Sequence, residues 1–199
     1  MAAESTGEPG QSDLDQLLRG FKKGDRDAFA ELARRYQGSV FRFTCAMLRD
    51  REDAREVTQE TLLRAWSQRW RYDIGRPFEG WLFGIAANLS RDLLRQRRRS
   101  WLGLHAMAAR PAGIGTGPAE APPDRGLVQT ELRAALEAAI GALPSEYRSV
   151  LLLREVEGLS YAEIAEVLGC SVGTVRSRLS RARQGARRSL EPFLEGGEV

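Results

Sequence analysis

GLSYAEIAEVLGCSVGTVRSRLSRAR, residues 158–183, carries the pattern that decides the fold. Ser160 followed by Glu163 is a capping box: the hydroxyl takes the amide three residues on, and the carboxylate reaches back to the first amide. Tyr161, Ile164, Ala165 and Leu168 then recur at helical spacing. Gly169 ends this helix, because glycine takes the left-handed backbone at the position after a helix without steric cost. Ser171 is placed to cap a second helix, with Val172, Val175 and Leu179 as its inward stripe. Two helices joined by a tight glycine turn form a helix-turn-helix.

The second of these helices is strongly basic. Arg176, Arg178, Arg181, Arg183, Arg187 and Arg188 stand in it with no acid between them, and Ser171, Thr174 and Ser177 lie near its start. The first turns of a recognition helix face base edges in the major groove, where a bidentate arginine discriminates by ~1–3 kcal/mol. Ser171, Thr174, Arg176, Ser177, Arg178 and Arg181 are therefore the candidates for duplex DNA contact. The later arginines suit phosphates, which add salt-dependent affinity without sequence choice.

Upstream, residues 110–126 read RPAGIGTGPAEAPPDRG, rich in Pro, Gly and Ala and poor in core-forming side chains. Such a stretch cannot repay its ordering entropy and is expected to be a tether. Apolar helical periodicity lies on both sides of it, and strict apolar alternation is absent. The expected fold is all-α: two small helical domains, 13–100 and 127–193, joined by a flexible linker over 101–126. In the first domain Leu14, Leu17, Leu18 and Phe21 recur at helical spacing. Asp27 is expected to cap a second helix whose face holds Phe29, Leu32, Tyr36, Val40 and Phe41.

Two segments of the first domain carry chemistry. DREDAREVTQETLLRAWSQRW, residues 50–70, is amphipathic. Ala54, Val57, Thr58, Thr61, Leu62, Ala65 and Trp66 make its inward stripe. Asp53, Glu56, Gln59, Glu60, Leu63 and Arg64 lie on the opposite side, and a leucine among polar residues hints at docking. Next, an Arg- and aromatic-rich loop at 68–76 leads through Pro77 into a helix with Phe78, Leu82, Ile85, Leu89 and Leu93 inward. Asn88, Arg91, Arg95 and Arg98 occupy another side of it. Rings interleaved with arginines suit single-stranded DNA, where each stacked base is worth ~1–3 kcal/mol. Phe78 and Trp81 are expected in the core; Trp70 and Tyr72, in the loop, are open to either role.

The two segments in this order around a linker resemble the extracytoplasmic-function (group 4) sigma factors of the bacterial sigma-70 family. The resemblance rests on DREDAREVTQETLLRAW with FEGWLFGIAANLSRDLLRQRRR, and on LPSEYRSVLLLREVEGLSYAEIAEVLGCSVGTVRSRLSRAR. It implies a promoter-specificity subunit of RNA polymerase. Asp53, Glu56, Gln59, Glu60, Leu63 and Arg64 would dock on the clamp helices of the polymerase β′ subunit. Trp70, Arg71, Tyr72, Asn88, Arg91, Arg95 and Arg98 would hold −10 DNA where it melts, with Asp92 on the same helix. Residues 171–181 would read the −35 element, in a domain that also packs on the β flap. Promoter DNA and an anti-sigma factor are the further partners the resemblance implies. The family often has Phe where Leu62 stands.

Other classes fit poorly. The formal charge is only +3 with a pI near 9.2, so the placement of charge, not its sum, points to nucleic acid. Two distant cysteines, Cys45 and Cys170, and one histidine, His105, assemble neither a metal quartet nor a nucleophile with partners. The expectation is no metal, no cofactor and no enzyme. No apolar run of membrane-spanning length exists, and residues 1–12 lack the layout of a signal peptide, so a cytoplasmic protein with reduced thiols is expected. An alternative is a stand-alone LuxR-type regulator. That reading calls for an upstream receiver or ligand-binding domain and leaves the Arg/aromatic segment unexplained.

Overall fold

The computed structural model describes the backbone of residues 9–105 and 127–195, and the side chains of 13–100 and 132–191. Its described residues form eight α-helices and no strand: α1 (Pro9–Lys23), α2 (Arg26–Leu48), α3 (Arg51–Ser67), α4 (Phe78–His105), α5 (Leu127–Ala142), α6 (Ser145–Glu155), α7 (Tyr161–Leu168) and α8 (Val172–Glu195). A short 3-10 turn, Arg69–Arg71, stands between α3 and α4. The fold is all-α. Helix α4 continues to His105, into the stretch expected as linker, and residues 106–126 lie outside the described part.

Caps explain several boundaries. Asp25, not Asp27, caps α2: its carboxylate accepts from the amides of Asp27 at 2.9 Å and Ala28 at 3.2 Å. Asp25 has the extended backbone an N-cap needs, while Asp27 already lies in the first turn. Asp50 caps α3 through the amides of Glu52 and Asp53. Between these helices Arg49 takes the left-handed conformation, with φ 59°.

An aromatic cluster fills the space among α1, α2 and α4. Phe21, fully buried, lies edge-on to Phe78 at 5.6 Å, and Tyr72 meets Phe78 at 5.3 Å and 87°. Each such pair adds about 0.5–1.5 kcal/mol beyond area burial. Where α2 crosses α3 the core is polar but satisfied: Thr44 and Thr58 share a hydrogen bond of 3.0 Å, and Thr58 donates to the Ala54 carbonyl. The second face of α2 is filled by Phe43, which is buried, whereas Phe41 is only partly covered.

The middle of α6 is covered all round, residues 148–153 being buried while Glu146 and Glu155 at its ends are exposed, so it forms the centre of the second half. It packs on α8 and also against α2 and α4, while α7 lies along α4. The buried side chains of the first four helices and the last four consequently run into one cluster.

Candidate functional site

The helix-turn-helix is built as its caps require. Glu163 N donates to Ser160 Oγ at 3.2 Å, and Ser160 N donates to Glu163 Oε2 at 2.7 Å. Gly169 has φ 61°, so the chain leaves α7 in a conformation that costs a side-chain-bearing residue roughly 1–2 kcal/mol. Ser171 Oγ then accepts from Thr174 N at 3.1 Å and opens α8. Val175, Leu179 and Ala182 are buried on its inner side. Val172 is not: it stays 41% exposed, because the covered stripe begins one turn later.

Along α8, Arg176 and Ser177 are exposed and Arg178 is partly covered. The hydroxyls of Ser171 and Thr174 are turned toward each other at 2.9 Å, and Ser177 Oγ donates to the Thr174 carbonyl, so these three are held by the helix end itself. Arg181 donates to Tyr147 Oη at 3.2 Å, and Arg183 pairs with Glu155 at 2.6 Å. Arg176 and Arg178 therefore differ from Arg181 and Arg183, which are steadied against α6.

The loop before α4 separates its two aromatics. Trp70 is 71% exposed, with the Arg71 guanidinium 5.6 Å from its ring centre. Tyr72, grouped with it from sequence, is 1% exposed. Its hydroxyl donates to the Arg76 carbonyl at 2.7 Å, and Lys22 donates to its own carbonyl at 2.8 Å. Burial pushes the Tyr72 phenol up to about 12, with the Glu79 carboxylate adding to the shift. Tyr72 anchors the loop, whereas Trp70 is the ring free to stack. Ile74, which sequence reading passed over, is also exposed there.

On α4, Asn88 accepts a hydrogen bond from Arg91, and Arg95 pairs with Asp92. Arg98 is exposed. Arg91 is half-buried, and burial makes its protonation less favourable, with the Arg95 and Arg178 charges adding to that. Its Nε is buried without a hydrogen-bond partner.

On α3, Glu56, Gln59, Leu63 and Arg64 are exposed along one side; Leu63 is 55% exposed. Arg64 Nε pairs with Glu60 at 2.6 Å. Asp53 departs from this set. Two nitrogens of Arg97 on α4 lie 2.5 Å from its two carboxylate oxygens, and its side chain is only 13% exposed. Asp53 ties α3 to α4, a tie that heptad-like spacing within α3 had no means of revealing. Burial pushes its carboxyl up and Arg97 draws it back down.

Comparison with known proteins agrees with this layout. A family model described as Sigma-70 region 2 matches residues 32–100, and one described as Sigma-70, region 4 matches 133–184. The ECF RNA polymerase sigma factor SigW of Bacillus subtilis is 33% identical over 186 residues, covering 89% of this chain and 96% of that protein. The ECF RNA polymerase sigma-E factor of Escherichia coli K12 is 33% identical over 181 residues, covering 89% and 94%. Among solved structures, CnrH in complex with the cytosolic domain of CnrY has a TM-score of 0.64 at 28% identity, covering 90% of this chain and 98% of that one.

Helices and matches together define a sigma-70-type transcription factor. Within that class, the chain belongs to the extracytoplasmic-function (ECF) RNA polymerase sigma factors. Its work is to direct RNA polymerase to promoters, and the stand-alone LuxR-type reading is not favoured. No described helix is long and apolar enough to cross a membrane.

Proposed function

We propose that the chain reads promoters with two domains on one tether, residues 13–100 and 127–193, in the cytoplasm. Arg176 and Arg178, with Ser171, Thr174, Ser177 and Arg181 around them, face −35 duplex DNA. Trp70 with Arg71, and the α4 side holding Asn88, Arg91, Arg95 and Arg98, hold the melted −10 strand. The α3 side from Glu56 to Arg64 docks on the β′ clamp helices, and the second domain packs on the β flap. The polymerase supplies the chemistry, so the chain needs no catalytic group of its own. The observation that carries this reading is the pairing of a capped helix-turn-helix, bearing exposed Arg176, with an exposed Trp70–Arg71 stack in the other half. CnrH was solved with the cytosolic domain of CnrY, and a sigma factor RpoE of Bartonella quintana, similar in fold, with the anti-sigma factor NepR. An anti-sigma factor is proposed for this chain on that ground.

Unstacking a base costs a few kcal/mol, which stacking on Trp70 offsets only in part. Tight binding therefore needs both contacts at once, held apart by the polymerase. Run-off transcription with purified core polymerase on a promoter library tests the reading. Core-dependent initiation at a shared −35/−10 motif is expected, with weak specific binding by the free chain at the same salt. Tight promoter binding without core, or no core-dependent initiation, would overturn it.

A further inference from the structure

Helix α4 outruns the core that supports it. Its last buried side chain is Ser90, and Arg91, Leu93 and Leu94 are partly covered. From Arg95 to Ser100 every side chain is exposed. A helix end without packing is held by its own hydrogen bonds alone, and such ends open at little free-energy cost. Yet this stretch carries Arg95 and Arg98, which the promoter reading puts at the melted strand. Among the described residues, one polar tie runs from it to another helix: Arg97 to Asp53 of α3.

The tie is firmer than an ordinary surface pair. Two guanidinium nitrogens face the two carboxylate oxygens at 2.5 Å, and the Asp53 side chain is largely buried. Asp53 Oδ2 is closed to solvent and has no well-aligned hydrogen bond of its own. Without Arg97 this carboxylate would be buried and unpaired, which is the costly half of a broken pair. The anchor itself is rigid. Asp53 lies in the first turn of α3, and its amide donates to Asp50 Oδ1, the cap of that helix. The side assigned to docking begins one turn further on, at Glu56.

We propose that Asp53 is a positioning residue: through Arg97 it fastens the unpacked end of α4 to the capped start of α3, and so aims Arg95 and Arg98 at the melted −10 strand. The proposal rests on the promoter reading given above. It replaces the docking role that the family resemblance implies for Asp53, since the carboxylate is spent inside the domain. The sign of one substitution separates it from plain electrostatics. Asp53→Asn deletes a negative charge beside a DNA-binding helix, which by charge alone would tighten binding. A loosened α4 end weakens it.

The test uses the full chain assembled with core polymerase. The holoenzyme is titrated with a single-stranded oligonucleotide carrying the −10 motif that run-off selects. Asp53→Asn and Arg97→Gln should each weaken binding about fivefold, and the double variant should be no weaker than the weaker single, as for two residues acting as one unit. Affinity for core polymerase should not change. Equal or tighter strand binding by Asp53→Asn overturns the proposal. So does an additive double variant, which would make Arg97 a direct contact, or a loss of core affinity, which would return Asp53 to the docking surface. A second measurement is independent of promoters. Nitroxide labels at Arg55→Cys and Arg99→Cys, with Cys45→Ser and Cys170→Ser, report the distance between α3 and the α4 end in the free chain by pulsed electron resonance. Asp53→Asn should broaden the distance distribution; an unchanged distribution overturns the proposal. If wild-type holoenzyme binds no strand, the promoter reading fails, while the label distances still decide the positioning. If Asp53→Asn does not fold, Arg97→Gln, at a half-exposed position, takes its place and the label distances decide.

Discussion

Single residues of α8 divide into two kinds, and the difference is measurable. Arg176 stands exposed in the second turn, near the capped end where base edges are reached, whereas Arg187 lies far along the helix. Arg176→Ala is expected to cost ~1–3 kcal/mol on the preferred −35 sequence and to relax discrimination at one position. Arg187→Ala should weaken all sequences alike and reduce the salt slope by about one. Competition binding of core-associated protein to −35 variants, over a salt series, separates the two. Tyr72 shows the limit of reading residues from a string. An aromatic in an Arg-rich loop looks available for stacking in either position 70 or 72, and only the packing of Phe21, Phe78 and Trp81 around Tyr72 removes it.

At the scale of elements, α3 is two-faced for separable reasons. Its inner side is held by Ala54, Val57, Thr58, Thr61 and Ala65, and its outer side presents Leu63 among charges. Leu63→Asp removes exposed apolar area and touches none of that inner set. Its melting temperature should stay within about 2 °C of wild type, as a ΔΔG below ~0.5 kcal/mol implies. Affinity for core polymerase should fall at least about tenfold, the effect of losing ~1.4 kcal/mol at a docking centre. An unchanged affinity in a pull-down or fluorescence titration would remove α3 from the docking surface. The inward stripes of α3 and α7 were legible because period 3.6 shows in the sequence, whereas on α4 the deepest burial falls on Phe83, Ala86 and Ala87 beside the expected and only partly covered Ile85, Leu89 and Leu93. Val172 and Asp27 were misplaced for a related reason: periodicity locates a face, and the position where coverage or capping starts depends on backbone geometry at the helix end.

At the scale of the molecule, the turn after α6 carries a group sensitive to pH. Glu157 is half-buried and stands near Arg42 of α2; burial pushes its carboxyl up to about 7, and the arginine only partly opposes this. In the unfolded chain the same group titrates near its ordinary 4.5. Between those values the folded protein takes up a proton that the unfolded one does not. The resulting stability is fully present below about 4.5 and is lost as pH rises through about 7. Glu157→Gln should therefore melt higher than wild type at pH 8 and nearly equal to it at pH 4.5. Thermal melts over that range check it; a gap that does not grow with pH would show that Glu157 is solvated.

The all-α class, the inner faces of α3 and α7, the turn at Gly169, the chemistry of α8 and the exposed Leu63 were readable from sequence alone. Each depends on neighbours within about one or two helical turns, and local caps and periodicity act over that range. Tertiary structure alone decided which side chains meet from distant segments. It buried Tyr72, paired Asp53 with Arg97, and set Arg148 against Met47. It also seated Val167 on Gly84. In the string, Gly84 is merely a glycine inside a helix; the absence of a Cβ gains its meaning when a second helix arrives to use the space.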